Sequence, residues 1–176
     1  MRDLIKTMND LFKPNEKRTA KFSPCRTWRY RLAQIWDESK DPLYWLMLNP
    51  STADEMQNDP TVERCERRAR VWGYGGSVVL NIFAYRATAP KDMRAALDPI
   101  GPDNDKWIEE LAAMSNKVTV IGGWGEHGKH LERGAAIRDI FKAKNGRLNA
   151  LKINASGNPA HPLYIGYDKT PFGMDL

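Results

Sequence analysis

The apolar residues of this chain fall into short runs separated by polar turns, and the spacing within the runs switches between strand and helix periods. Leu43-Tyr-Trp-Leu-Met-Leu48 is mostly apolar and bounded by Pro42 and Pro50. It is too short for a typical helix and predicts a buried parallel strand. The strand stops at Asn49-Pro50-Ser51, a polar turn that cannot continue a central sheet. Upstream, Phe22, Trp28, Tyr30 and Leu32 alternate with polar residues, which predicts a half-exposed antiparallel hairpin turning at Ser23-Pro24-Cys25-Arg26. Downstream, Val62, Cys65, Ala69 and Trp72 share one helical face, with Thr61 or Asp59 as cap and Gly73-Tyr-Gly-Gly76 as stop.

The same alternation continues. Ser77-Val-Val-Leu-Asn-Ile82 predicts a second buried strand, and Val118-Thr-Val-Ile121 a third. Between them Asp103 is placed to cap a helix with Ile108, Leu111, Ala112 and Met114 inside. A helix over about 130–142 and a fourth strand from Leu148 to Ile153 precede an irregular tail. Strands alternating with helices imply right-handed crossovers and helices on both faces. The expected fold is therefore α/β, a three-layer α/β/α sandwich around a central, mainly parallel four-stranded sheet. Residues 1–21 read as an N-terminal helix, with apolar positions 4, 5, 8, 11 and 12, followed by a basic linker over 13–21. Residues 22–176 read as a single α/β domain, large enough for its own core.

Composition narrows the function classes. The chain has 176 residues, 41% hydrophobic and 28% charged, as in an ordinary soluble domain. Cys25 and Cys65 are too few for a disulfide framework and read as free thiols in a reducing, cytoplasmic setting. His127, His130 and His161 make no zinc signature, so neither a metal nor a cofactor is expected. No run of 18 apolar residues exists to cross a membrane. A net charge of +5 permits a polyanionic partner without demanding one.

In an open α/β sheet, ligands sit beyond the carboxyl ends of the strands. Here every predicted exit carries a polar or glycine-rich turn: Asn49-Pro50-Ser51, Asn81 with Tyr85 and Arg86, Gly122-Gly-Trp-Gly-Glu126, and His161-Pro162 after the fourth strand. Asn49, Ser51 and Asp54 either form a site or cap the next helix. The glycine-rich turn lacks GxxxxGK[ST] and GxGxxG, so it is no phosphate loop. Trp124 is either core or, like Tyr85, a stacking platform for a ring. His161 stands between two prolines, at 159 and 162, which suits a rigid hydrogen-bond donor to developing negative charge. Arg64, Arg67, Arg68 and Arg70 form either a solvated face paired with Glu63 and Glu66 or a set of phosphate contacts. No nucleophile elbow and no cysteine motif appears, which leaves chemistry with a positioned water, a carboxamide or carboxylate, and a histidine. Hydrolysis of an N-glycosidic bond fits those parts.

Ser23-Pro24, Trp28-Arg-Tyr30, Leu48-Asn-Pro-Ser-Thr-Ala-Asp54, Asp59-Pro-Thr61 with Arg64, Gly73-Tyr-Gly75, Asn81-Ile-Phe-Ala-Tyr-Arg-Ala-Thr88, Asp98-Pro-Ile-Gly101, Trp124-Gly125 and His161-Pro-Leu-Tyr164 resemble the motif set of domain-of-unknown-function family 1643, a bacterial and phage family. A more distant resemblance is to the uracil-DNA glycosylase superfamily. Asn49-Pro50-Ser51 is similar to the Asn-Pro-Gly motif of its mismatch-specific members, Ile121-Gly-Gly-Trp-Gly125 to a Leu-Leu-Trp-Gly strand, and His161-Pro162 to a His-Pro-Ser loop. That resemblance implies a DNA N-glycosylase that flips a modified or damaged base. Asn49 would position the attacking water, helped by Asp54 or Asp59, and His161 would donate to the departing base. Pro50, Ser51, Asn81, Tyr85, Trp124 and Glu126 would line the base pocket, while Arg64, Arg68, Arg86 and Pro162 would meet single- or double-stranded DNA. Ser51 replaces a bulky tyrosine of strict uracil enzymes, which implies room for 5-substituted pyrimidines. The protein is expected to act as a monomer, in a phage or anti-phage setting. Two other classes remain open: a non-catalytic binder of modified bases or nucleotides, and an enzyme of free nucleosides or nucleotides.

Overall fold

The structure, a computed structural model, describes residues 16–52 and 59–176. The predicted N-terminal helix, residues 13–15 of the linker and Asp54 lie outside the described residues. The described chain is a mixed α/β domain built on one seven-stranded sheet. Its strands are β1 (Lys17–Phe22), β2 (Arg29–Ile35), β3 (Pro42–Met47), β4 (Gly76–Asn81), β5 (Val120–Gly122), β6 (Asn149–Ala150) and β7 (Phe172–Gly173). The helices are α1 (Pro60–Val71), α2 (Pro90–Ala95), α3 (Asn104–Met114) and α4 (Arg133–Ala143), with 3-10 turns at Glu126–Glu132 and Pro162–Tyr164.

The sheet order is β1-β2-β4-β3-β5-β6-β7. β4, β3, β5 and β6 are mutually parallel, so the four-stranded parallel centre expected from the apolar runs is present. Antiparallel strands extend it on both sides, β1 and β2 at one end and β7 at the other. The linker expected up to residue 21 instead becomes β1 from Lys17 onward. Its alternating exposed and half-buried residues pair with β2, and its basic side chains populate the outer edge of the sheet. The predicted turn at Ser23–Arg26 does join these two strands. The fourth strand shortens to two residues, because the chain bends after Leu151 into a loop closed by an Ile153–Pro159 bridge.

Apolar side chains alternate across β3 and β4 and feed two cores. On one face Leu46, Val78 and Leu80 meet Met93 of α2, Ile108 and Leu111 of α3, and Ile137 and Phe141 of α4. On the other face Leu43, Trp45, Met47 and Val79 meet Val62, Cys65 and Ala69 of α1, with Trp72 packed against them. The predicted inward faces of α1 and α3 are therefore the observed ones, except that Met114 is only half-buried. Asp103 precedes α3 but makes no side-chain cap bond. Cys25 is exposed and Cys65 buried, and both thiols are free. Among the described residues no helix is long and apolar enough to cross a membrane.

Candidate functional site

Because β3, β4, β5 and β6 run parallel, their carboxyl ends share one edge of the sheet. The antiparallel β2 adds its first residue, Arg29, at the same edge. A cavity of about 630 Å³ opens there. Asn49, Ser51, Asp59, Asn81, Trp124, Glu126 and His161 all line it. Each of the four expected strand exits thus gives at least one residue to this cavity, while Pro50, Tyr85, Arg86 and Pro162 do not line it.

The turn after β3 is fixed by the turn after β4. Backbone bonds from Ile82 N to Met47 O, Phe83 N to Leu48 O and Ala87 N to Pro50 O tie the two exits together. Within this frame Asn49 Nδ2 donates to the Ala87 carbonyl at 2.8 Å and to that of Pro50 at 3.1 Å. Both amide protons are therefore spent on backbone. Asn49 Oδ1, with no partner among the described residues, is the acceptor left for a water or ligand. Pro50 itself is buried and contributes its carbonyl to this scaffold rather than a wall of the cavity.

Asp59 is the N-cap of α1. Its Oδ1 accepts from the Thr61 and Val62 amides, both at 2.9 Å, and its Oδ2 accepts from the Ser51 hydroxyl at 2.9 Å. Pro60 at the first helical position has no N–H to satisfy. Asp59 thus caps α1, as the sequence predicts for Thr61 or Asp59, and also lines the cavity. Its carboxylate is already committed to three donors.

His161 lines the same cavity. Its Nδ1 accepts from the Leu163 amide at 3.3 Å, so the neutral ring carries its proton on Nε2 and presents a donor. Burial pushes its pKa below the ordinary histidine value, opposed in part by the negative charge of Asp59. The ring leans on Tyr164, centroids 6.1 Å apart, and Tyr164 is 85% exposed at the cavity mouth. Pro162, expected to meet DNA, is buried with its ring close over Gly123.

The glycine-rich turn exists to seat an indole. Trp124 is 1% exposed, its Nε1 donating to Asn158 Oδ1 at 3.0 Å, and a Cβ on Gly128 would stand 2.1 Å from its ring. A base cannot stack on a face so covered, and Trp124 is a wall of packed core rather than a platform. Tyr85 is also no platform: it pairs with Trp28 at an isolated bridge, packs against the core and does not line the cavity. Asn81 is 3% exposed, and its carbonyl accepts from Asn104 Nδ2. Its own carboxamide borders the cavity without a partner among the described residues, a polar group set for a polar ligand. Glu126 is exposed at the rim, its carboxyl held below the usual range by the hydroxyl of Ser156 at 2.7 Å.

The basic residues correct the sequence expectation most. Arg68 is 1% exposed and donates to the carbonyls of Ile165 and Gly166. Arg64 donates to those of Ile165 and Pro162. Neither is turned toward solvent to meet a phosphate, because the chain after His161 lies across α1 and accepts from both. Arg70 stacks on Trp36 and pairs with Glu16, and Arg67 stacks on Tyr167. Arg86 stays near the surface, bracing the Arg26 and Thr52 carbonyls over the Phe22 ring.

Other lining residues escape sequence reasoning: the buried Arg29, together with His127, Lys152, Asn154 and Tyr164. Arg29 reads as one polar position of a hairpin, and only the pairing of β2 with β4 shows that it abuts the strand exits. Among the described residues no three His, Cys, Asp or Glu side chains gather to hold a metal ion.

The model of the family described as "Protein of unknown function (DUF1643)" matches residues 29–163, which span the whole cavity lining between Arg29 and Leu163. No curated protein and no solved structure matches the chain.

Proposed function

We propose, for a chain that belongs to the DUF1643 family, that the cavity hydrolyses an N-glycosidic bond, releasing a flipped modified or damaged base from DNA. One observation carries this reading: an acceptor, Asn49 Oδ1, and a neutral imidazole donor, His161 Nε2–H, border the same cavity. Such a bond breaks toward an oxocarbenium-like sugar and a departing base anion. Asn49 Oδ1 orients a water toward the anomeric carbon, and its hydroxide portion ends on the sugar. The electron pair of the broken bond leaves with the base, where the Nε2–H stabilises it, and the proton shed by the attacking water ends on the released base. Asn81 meets the polar edge of the base, and helices packed on both faces of the parallel strands support a glycosylase-like layering. Ser51 is small and leaves space for a 5-substituent. Asn49 takes no proton from the water, which makes this a slow, carboxamide type of site.

A second reading, turnover of free nucleosides or nucleotides, is favoured by the inward commitment of Arg64 and Arg68, which removes two of the expected DNA contacts. The test incubates the protein with single- and double-stranded oligonucleotides carrying uracil, 5-substituted and damaged pyrimidines, and in parallel with the free nucleotides. Released bases are measured by mass spectrometry and abasic sites by alkaline cleavage. Release from oligonucleotides supports the first reading, and release from free nucleotides alone supports the second. Binding without release in either arm refutes catalysis and leaves a modified-base binder.

A further inference from the structure

We propose that Arg64 and Arg68 are positioning residues that clamp the segment after Ala160 onto α1 and so fix where His161 stands in the cavity. The proposal rests on the reading of His161 as the donor to the ligand. Arg68 Nη2 donates to the Ile165 carbonyl at 2.7 Å and to that of Gly166 at 3.0 Å. Arg64, one helical turn earlier, donates from Nη2 to the Ile165 carbonyl at 2.9 Å and from Nε to that of Pro162 at 3.3 Å. The Tyr167 ring, just beyond, lies under both guanidinium groups at 4.6 and 4.7 Å. The acceptors are main-chain carbonyls within and just after the 3-10 turn that His161 caps. Arg64 holds two carbonyls with two nitrogens of its planar fork, a fixed geometry that an ammonium does not reproduce, while Arg68 holds two from Nη2 alone.

One rigid helix thereby references both halves of the site. The first residues of α1 bind Asp59, and through it Ser51 of the Asn49 turn. The next two turns bind the His161 segment. The separation between the Asn49 acceptor and the His161 donor is set by α1, although the two residues belong to distant parts of the chain. Catalysis that depends on such a pair is sensitive to displacements of about an ångström.

The experiment uses the full chain labelled with ¹⁵N-histidine, the His161 signals being assigned with His161→Gln. Arg64→Lys keeps the charge near the imidazole and loses the fork, and Arg68→Met removes the deeper clamp. Arg70→Met, on the same helix but touching Trp36 and Glu16 instead, controls for general loosening of α1. Wild type should show one tautomer with the proton on Nε2 and a rigid ring. Both clamp variants should show mixed tautomers and a mobile ring, while the control keeps the wild-type signals. Where base release is measurable, kcat should fall about tenfold to a hundredfold in the clamp variants. Unchanged tautomer and ring order in Arg64→Lys and Arg68→Met overturns the proposal. If Arg68→Met does not fold, Arg64→Lys alone decides. A wild-type protein that releases no base refutes the glycosidic reading, and the ring measurement still decides the clamp.

Discussion

Replacing Asp59 separates helix capping from work on a bound water, since the residue caps α1 and also lines the cavity. Asp59→Ala removes the acceptor of two α1 amides and of the Ser51 hydroxyl. Loss of an N-cap costs about 0.5–2 kcal/mol. The half-buried Ser51 hydroxyl recovers most of its loss with water, leaving a net destabilisation of about 1–2 kcal/mol. For a chain of this size about 2–4 °C of melting temperature corresponds to each kcal/mol, so the midpoint should fall by about 2–8 °C. Asp59→Asn keeps an oxygen for the amides, and asparagine caps as well as aspartate, so it should change stability by only a few tenths of a kcal/mol. Base release should also survive Asp59→Asn, because a carboxylate holding three donors is not free to take a proton from water. Thermal melts and base-release rates on the three proteins decide the matter. An Asn variant as unstable as the Ala variant refutes the capping argument. An Asn variant of native stability that has lost activity by about 10²–10⁴-fold shows that the carboxylate works on the water after all.

His161→Ala should leave the fold intact and slow base release by about 10²–10³-fold, the usual loss for one preorganised donor; single-turnover rates check this. Burial holds folded His161 below the unfolded value of about 6.5, so as pH falls the unfolded chain takes up the proton first. Its contribution to stability is therefore complete above about pH 6.5 and declines as pH drops through the folded value. Melting curves from pH 8 to pH 5 should slope more steeply for wild type than for His161→Ala. Ser51→Tyr should abolish release of 5-substituted pyrimidines while sparing uracil, and equal loss on all bases would overturn the steric reading of position 51. Gly128→Ala drives a methyl group into the Trp124 ring and should cost about 1–3 kcal/mol, measured by denaturant unfolding.

The parallel centre of the sheet was legible because β3 and β4 are buried on both faces and read as unbroken apolar runs between turn signals. α1 was legible from its helical spacing and its Asp-Pro start. β1 was not, because a charged edge strand has the composition of a linker until its partner is known. β7 was missed for a similar reason, as two residues carry no periodicity. The cavity at the strand exits is legible, since topology alone brings Asn49, Asn81, Trp124 and the His161 segment together. What failed was the direction of long side chains. The sequence shows four arginines on one helix, and nothing local says that a segment about a hundred residues later will lie across them. Trp124 was ambiguous because an indole beside glycines suits both an open platform and a close-packed seat.

The clamp between α1 and the residues after His161 also bears on the order of folding. Arg68 donates to a carbonyl 97 positions ahead of it, and Arg64 to one 101 positions ahead. Loops of that length close late, since their entropy must be met before any contact offsets it. Until they close, the Arg68 guanidinium remains hydrated and the upper part of α1 has no lid. The central strands can assemble first, and the cavity gains its second wall only when the final third of the chain docks. In hydrogen exchange, the amides of Leu163 and Ile165 should open together as one unit of low stability, separate from those of β3 and β4. The cavity would then be the last part of the protein to form and the first to come apart.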